Sequence, residues 1–185
     1  MSVTYFKRYR MEVRLDGYRG FVTAPAGFQL LSWSSRLLDH HAEVKWESFR
    51  QEIDSHVFPC LGQLDGCRQL MRDIAGRQDF VPAATWLVSR DSQFDLVVQP
   101  VGTIQGLRSG PREGSIQNIG VHPDFRDLGL GTLLIDAALR GFKQVGCRTV
   151  SLEVTVENTA AIRLYQRLGF RRVETLFKIA EVQYA

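Results

Sequence analysis

The residues best spaced for chemistry lie between positions 116 and 145. An apolar run at 116–121 leads into a turn of Arg126, Asp127, Leu128, Gly129, Leu130 and Gly131, and an amphipathic helical pattern follows. A glycine turn that opens a helix leaves backbone N–H groups free at the positive end of the helix dipole. Such a cradle suits an anion, above all a phosphate or pyrophosphate. Glycine lets the backbone approach the ligand closely, and Arg126 adds charge at the rim. Gly131 is followed by Thr132 with no lysine between them, and Leu134 stands where a dinucleotide fingerprint carries its third glycine. Nucleotide hydrolysis is therefore disfavoured. The same turn also fits a plain strand–turn–helix whose glycines only permit packing.

The elements that must position this turn follow from periodicity. Residues 9–15 alternate and predict an opening strand at a sheet edge, and 28–33 predict a second strand. Leu38, Ala42, Trp46 and Phe49 recur at helical spacing, which predicts one helix over 35–54. A second helix is expected over 65–74, stopped by Gly76. Strands are expected at 84–88, 99–107 and 116–121, with 108–114 a hairpin connection rich in turn residues. The helix after the glycine turn is followed by a strand at 149–156, a helix at 159–168 and a final strand at 170–179, possible to extend toward Tyr184. The order predicts an α/β fold: a mixed, mostly antiparallel sheet with helices on both faces and an extra N-terminal strand.

The spacing Arg126-x-x-Gly129-x-Gly131, after a strand and the His122-Pro123 turn, resembles the acetyl-CoA-binding motif of the GNAT superfamily of N-acetyltransferases. A second segment adds to this: the strand SLEVTV at 151–156, then Glu157-Asn158-Thr159, then Leu164-Tyr165 through Leu168-Gly169-Phe170. The resemblance is close over 116–173 and implies one GNAT domain over 1–185. It implies acetyl-CoA as acyl donor and an amine as acceptor: a peptide N-terminus, a lysine or a small amine. The acceptor would bind between the first two helices and a hairpin preceding the final strand.

Acetyl transfer must hold the pyrophosphate, polarise the thioester carbonyl, deprotonate the amine and reprotonate the thiolate. The resemblance assigns the first task to the N–H groups of Asp127, Leu128, Gly129, Leu130, Gly131 and Thr132, with Arg126. It assigns the second to an N–H among Ile119, Gly120 and Val121, acting as a small oxyanion hole. Tyr165 stands where the family carries the tyrosine facing the coenzyme A sulfur, and a phenol can protonate a departing thiolate. On spacing alone, Tyr165 also belongs to an apolar helical stripe with Ala161, Leu164 and Leu168. Asn158 opens the helix; its side chain caps Ala161, contacts coenzyme A, or does both.

The base has fewer markers. Gln117 and Asn118 are amides where many GNAT enzymes carry a carboxylate. Glu153 precedes Tyr165 by the separation of a Glu–Tyr pair in enzymes that acetylate the N-terminal alanine of a ribosomal protein, which this half of the chain resembles. Glu153 is thus the candidate base; pairing with Arg148 or Arg172, or water-relayed deprotonation, are its rivals. His122 reads as structural, and His40, His41 and His56 as surface or packing residues.

Global properties agree with a small globular enzyme. The chain has 185 residues, 44% hydrophobic and 23% charged. A net charge of +3 is too slight to argue for nucleic acid. Cys60, Cys67 and Cys147 lack metal spacing and predict reduced thiols, no metal and a cytoplasmic setting. No apolar run approaches a membrane span, and the first residues lack an apolar signal core. Dimers are common in the family; nothing in the sequence decides between a monomer and a homodimer. A non-catalytic acyl-CoA-binding or sensing module on the same fold is the alternative to an enzyme.

Overall fold

The computed structural model describes residues 2–91 and 98–182. Alternating apolar and polar side chains draw the strands into a seven-stranded sheet. The strands are β1 (Ser2–Arg14), β2 (Phe28–Ser32), β3 (Trp86–Arg90), β4 (Gln99–Gly110), β5 (Glu113–Val121), β6 (Thr149–Thr155) and β7 (Arg171–Val182). Their spatial order is β2-β3-β4-β5-β6-β1-β7. The pair β5/β6 is parallel and all the others are antiparallel. The helices are α1 (Leu38–Phe49), α2 (Ile53–Val57), α3 (Leu64–Ala75), α4 (Leu130–Gln144) and α5 (Thr159–Arg167). This is the mixed α/β architecture that the periodicity predicts.

Three expectations are corrected. The opening strand is not an edge: β1 lies between β6 and β7, pairing with both. Its buried Met11 and Val13 need cover on a face shared with Leu152 and Val150 of β6, which an edge position would not supply as well. The single helix expected over 35–54 is a 3-10 turn (Ser35–Leu37), then α1, a break, and α2. Glu52 leaves helical geometry (φ −99, ψ 161), and this redirects the chain so that Asp54 of α2 reaches Thr155 on β6. No hairpin precedes the final strand: α5 leads directly into β7, and β1 fills the neighbouring place in the sheet. Any extension of β7 toward Tyr184 lies outside the described residues.

Helices cover both faces. α4 lays Leu130, Leu133, Leu134, Ala138 and Phe142 against one face. Phe142 is fully buried beneath Gly106 of β4 and Gly114 of β5, where a β-carbon at either glycine would run into its ring. Asp136, also fully buried on α4, accepts from Tyr18 Oη (2.8 Å), Val22 N–H (3.1 Å) and Arg140 Nε (3.0 Å). It thereby fastens the β1–β2 connection over this helix. α1 covers the opposite face, with Ser48 against Gly120 and Lys45 reaching Gln105 and Asn118.

Phe142 fills space that no neighbour can reclaim without moving two strands. Phe142→Ala is expected to lower unfolding free energy by about 3–5 kcal/mol. Equilibrium denaturation in urea, with an unchanged m value, is the check.

Candidate active site

The site begins where two strands part. β5 and β6 pair from Glu113/Thr149 to Ile116/Leu152 and no further. At that point Gln105 opposes Asn118 while Gly106 opposes Ile116, so Gln117 is an extra residue, a β-bulge. A bulge bends its strand and raises the local twist. Beyond it β5 stays with β4, through Ile119, Gly120 and Val121, and its other edge opens onto a cleft.

The cleft has two lobes. One is lined by Ile119, Gly120, Val121, Arg126, Asp127, Gly129, Gly131, Thr132 and Leu164. Asp127 (φ 61) and Gly129 (φ 80) both take left-handed conformations, and α4 starts at Leu130. Among the described residues, no acceptor meets any N–H from Asp127 to Thr132. Successive free N–H groups at a helix start form an anion-binding nest. Gly131 has a further reason to be glycine: a β-carbon there would sit 3.0 Å from Leu164 on α5. Arg126 is at the rim, but its guanidinium is already held. It donates to Glu52 Oε1 (2.7 Å), to the Ser48 carbonyl (3.1 Å) and to the Val121 carbonyl (3.3 Å). Its charge is therefore shared with Glu52, and it straps the end of α1 to the turn.

The other lobe lies between α1–α3 and the parted strands. Its wall includes Arg8, Asp54, Phe58, Gln117, Asn118, Glu153 and Lys178. Phe49, Asp54, Ile119, Asn158, Ala161 and Tyr165 line both lobes, so these residues mark the junction. Asn158 caps α5, accepting from Ala161 N–H at 3.2 Å, while also facing the cleft. Tyr165 is only 6% exposed. Burial, then the charge of Asp54, raises its pKa well above that of an ordinary phenol, while Arg8 opposes the shift. The hydroxyl therefore stays protonated at neutral pH.

Glu153 lines this second lobe with its side chain 49% exposed. Its partner is neither Arg148 nor Arg172 but Arg8 Nε, at 3.4 Å. Arg8 is buried, stacks on Phe58 at 4.9 Å, and donates from Nη1 to Thr155 Oγ1 at 2.9 Å. Thr155 in turn donates to Asp54 Oδ1 at 3.0 Å. The sequence offers Asp54 only as one of several acidic residues near the first helix (Glu43, Glu47, Glu52, Asp54) that could attract an ammonium or simply face solvent; its place at the junction is unmarked because Thr155 lies 101 residues away. Equally unmarked is a buried polar cluster under α1. His41 and Lys45 are fully buried, and the polar stripe His41, Lys45, Ser48 at helical spacing was its only local sign. Among the described residues, no group of three or more His, Cys, Asp or Glu is placed to hold a metal ion. No helix among them is long and apolar enough to cross a membrane.

Residues 46–170 match the acetyltransferase (GNAT) family, and the chain belongs to that family. An uncharacterised N-acetyltransferase of Methanocaldococcus jannaschii is 49% identical over 101 residues, 49% of this chain and 45% of that protein. A mycothiol acetyltransferase of Saccharopolyspora erythraea is 37% identical over 105 residues, 54% of this chain and 31% of that protein. The chain thus spans less than half the length of these relatives. A GCN5-related N-acetyltransferase from Sphaerobacter thermophilus shares the fold, with a TM-score of 0.69, 21% identity, and coverage of 94% of this chain and 50% of that one.

The nest and the buried cluster each make a prediction. Gly129→Asp places a carboxylate in the nest and should weaken coenzyme A binding by about two orders of magnitude, read by calorimetry. Gly146→Asp is the strain control, since Gly146 is also left-handed (φ 87) but lies outside the cleft; it should bind as the parent does. Burial lowers the His41 pKa from 6.5 to about 3 and the Lys45 pKa from 10.5 to about 7. In each case the unfolded chain binds the proton that the folded chain refuses. Stability should therefore rise with pH between about 3 and 6.5 through His41, and between about 7 and 10.5 through Lys45. Denaturant unfolding across pH is the check, and Lys45→Met should flatten the upper rise.

Proposed function

We propose that this chain is an acetyl-CoA-dependent N-acetyltransferase in which a primary amine attacks the thioester directly in a ternary complex. The observation that carries this reading is the meeting of the nest-bearing lobe and the acceptor-side lobe at Tyr165. Direct attack needs both reactants to share one junction.

The residues divide the work as follows. N–H groups from Asp127 to Thr132 hold the pyrophosphate, with Arg126 at the rim and Asn158 on the far wall. The open edge of β5 at Ile119, Gly120 and Val121 offers N–H groups to the donor's arm and to the thioester oxygen, where a donor stabilises developing negative charge. Coenzyme A supplies the activated acetyl group. Tyr165 Oη gives its proton to the sulfur as the C–S bond breaks, and recovers one from the nitrogen that has formed the new C–N bond.

The ammonium must first lose a proton, and two carboxylates reach the junction side of the cleft. Glu153 is the base that the resemblance implies. Asp54 is the second: its side chain is 15% exposed against 49% for Glu153, and it lines both lobes. That placement at the junction favours Asp54 as the proton acceptor, with Glu153 and Arg8 shaping the wall beside it.

The acceptor is a peptide N-terminus, a lysine or a small amine, with a peptide N-terminus favoured by the Glu153/Tyr165 spacing. The chain would work in the cytoplasm, without nucleic acid, membrane or metal. The test is thiol release from acetyl-CoA with peptides bearing free N-termini and with small primary amines. Turnover supports the reading; binding of acetyl-CoA without turnover supports a non-catalytic acyl-CoA-binding module instead. Tyr165→Phe should lower kcat by about 10²-fold with little change in KM for acetyl-CoA. Asp54→Asn should lower kcat more than Glu153→Gln does, read by thiol release at saturating amine.

A further inference from the structure

Lys45 is an ionisable amine fully buried under α1, and nothing in the proposed reaction uses it. Its Nζ donates to Gln105 Oε1 at 2.6 Å and to Asn118 Oδ1 at 2.8 Å. As an ammonium, the lysine nitrogen has donors only and makes both bonds by donating. This fixes which end of each amide faces it. Gln105 turns its oxygen to Lys45 and its nitrogen to Thr103 Oγ1 at 2.5 Å, and Thr103 Oγ1 lies 2.8 Å from His41 Nδ1. The orientation is thus locked from both sides. Asn118 likewise turns its oxygen inward, and no hydrogen bond among the described residues uses its Nδ2. Asn118 lines the acceptor-side lobe. The amide therefore presents N–H donors to that lobe, at the place on β5 where a carboxylate would present acceptors.

We infer that Lys45 is a positioning residue that holds Asn118 with its N–H groups toward the acceptor, and that the site thereby selects amines bearing a carbonyl oxygen on the neighbouring carbon. The inference rests on the acetyltransferase reading above and narrows its acceptor to an aminoacyl group. The amine is directed to the Asp54–Tyr165 junction while its carbonyl oxygen accepts from Asn118 Nδ2. Asn118 takes no part in proton transfer, since an amide cannot take the proton at neutral pH. An amine without the oxygen would leave the Asn118 N–H groups unpaired in the closed complex, which is the costlier outcome for a polar wall.

The experiment compares alaninamide with isopropylamine, which differ by the carboxamide. Thiol release from acetyl-CoA is followed with the whole chain, and rates are referred to the unprotonated amine. The parent should favour alaninamide by about tenfold or more in kcat/KM. Asn118→Ala should bring that ratio near one, chiefly by raising KM for alaninamide, and Lys45→Met should do the same. The double variant should show the ratio of Asn118→Ala alone, since both changes remove one interaction. A merely structural Lys45 would slow both amines and leave the ratio intact, which overturns the inference; so does a parent ratio near one, or an Asn118→Ala variant that keeps the preference. Should Lys45→Met fail to fold, the ratio of Asn118→Ala still decides the role of the amide. A parent that binds acetyl-CoA and releases thiol with neither amine, nor with any free-amine peptide, overturns the acetyltransferase reading itself and the inference with it.

Discussion

The parting of β5 from β6 governs the rest of this structure. Two parallel strands that share hydrogen bonds through Ile116 and Leu152 then abandon each other, and the backbone groups lost to the ladder become available to a ligand. Exposed strand edges are a liability in most proteins. Here the edge is short, and it is sheltered by α1 on one side and α5 on the other. The bulge at Gln117 makes the parting local. The nest at Asp127–Thr132 then lies at the mouth of the gap, because α4 must start where β5 has turned away.

The walls of the gap are held by polar contacts that reach across long stretches of chain. Arg126 straps α1 and Glu52 to the turn, while Arg8 joins β1 to Thr155, Asp54 and Glu153. Buried charge of this kind is a weak source of net stability, because desolvation offsets much of the attraction. Its effect is geometric. Arg8 sits between two carboxylates and fixes the relative places of α2 and β6, so the floor of the acceptor-side lobe is defined by one side chain from the first strand. The His41–Thr103–Gln105–Lys45–Asn118 chain does the same under α1, each member setting the orientation of the next.

Local signals in the sequence were good guides to local structure. The glycine turn, α4, the Asn158 cap and α5 were legible because each depends on residues within a few positions of one another. Tyr165 could be placed on α5 by spacing, although its burial at a junction could not. What escaped was set by distant partners. The edge position expected for the opening strand failed because nothing in 9–15 announces that β7, more than 150 residues later, will pair with it. The single helix over 35–54 failed because the break serves Asp54, whose partners are on β1 and β6. Lys45 went unmarked because helical periodicity counts apolar residues, and here part of the buried stripe of α1 is polar.

The position of β1 gives the sheet its most sequence-distant ladders. β1 has no partner without β6 and β7, since its ladders join residues as far apart as Ser2 and Val182. Contacts of that separation pay the full entropy of loop closure before they gain anything. The middle of the chain, from β2 to α4, contains its own ladders and can consolidate first. β1 closes the sheet like a clasp, and because it carries Arg8, the floor of the second lobe depends on it. A chain folded without β1 would keep its anion nest and lack that floor.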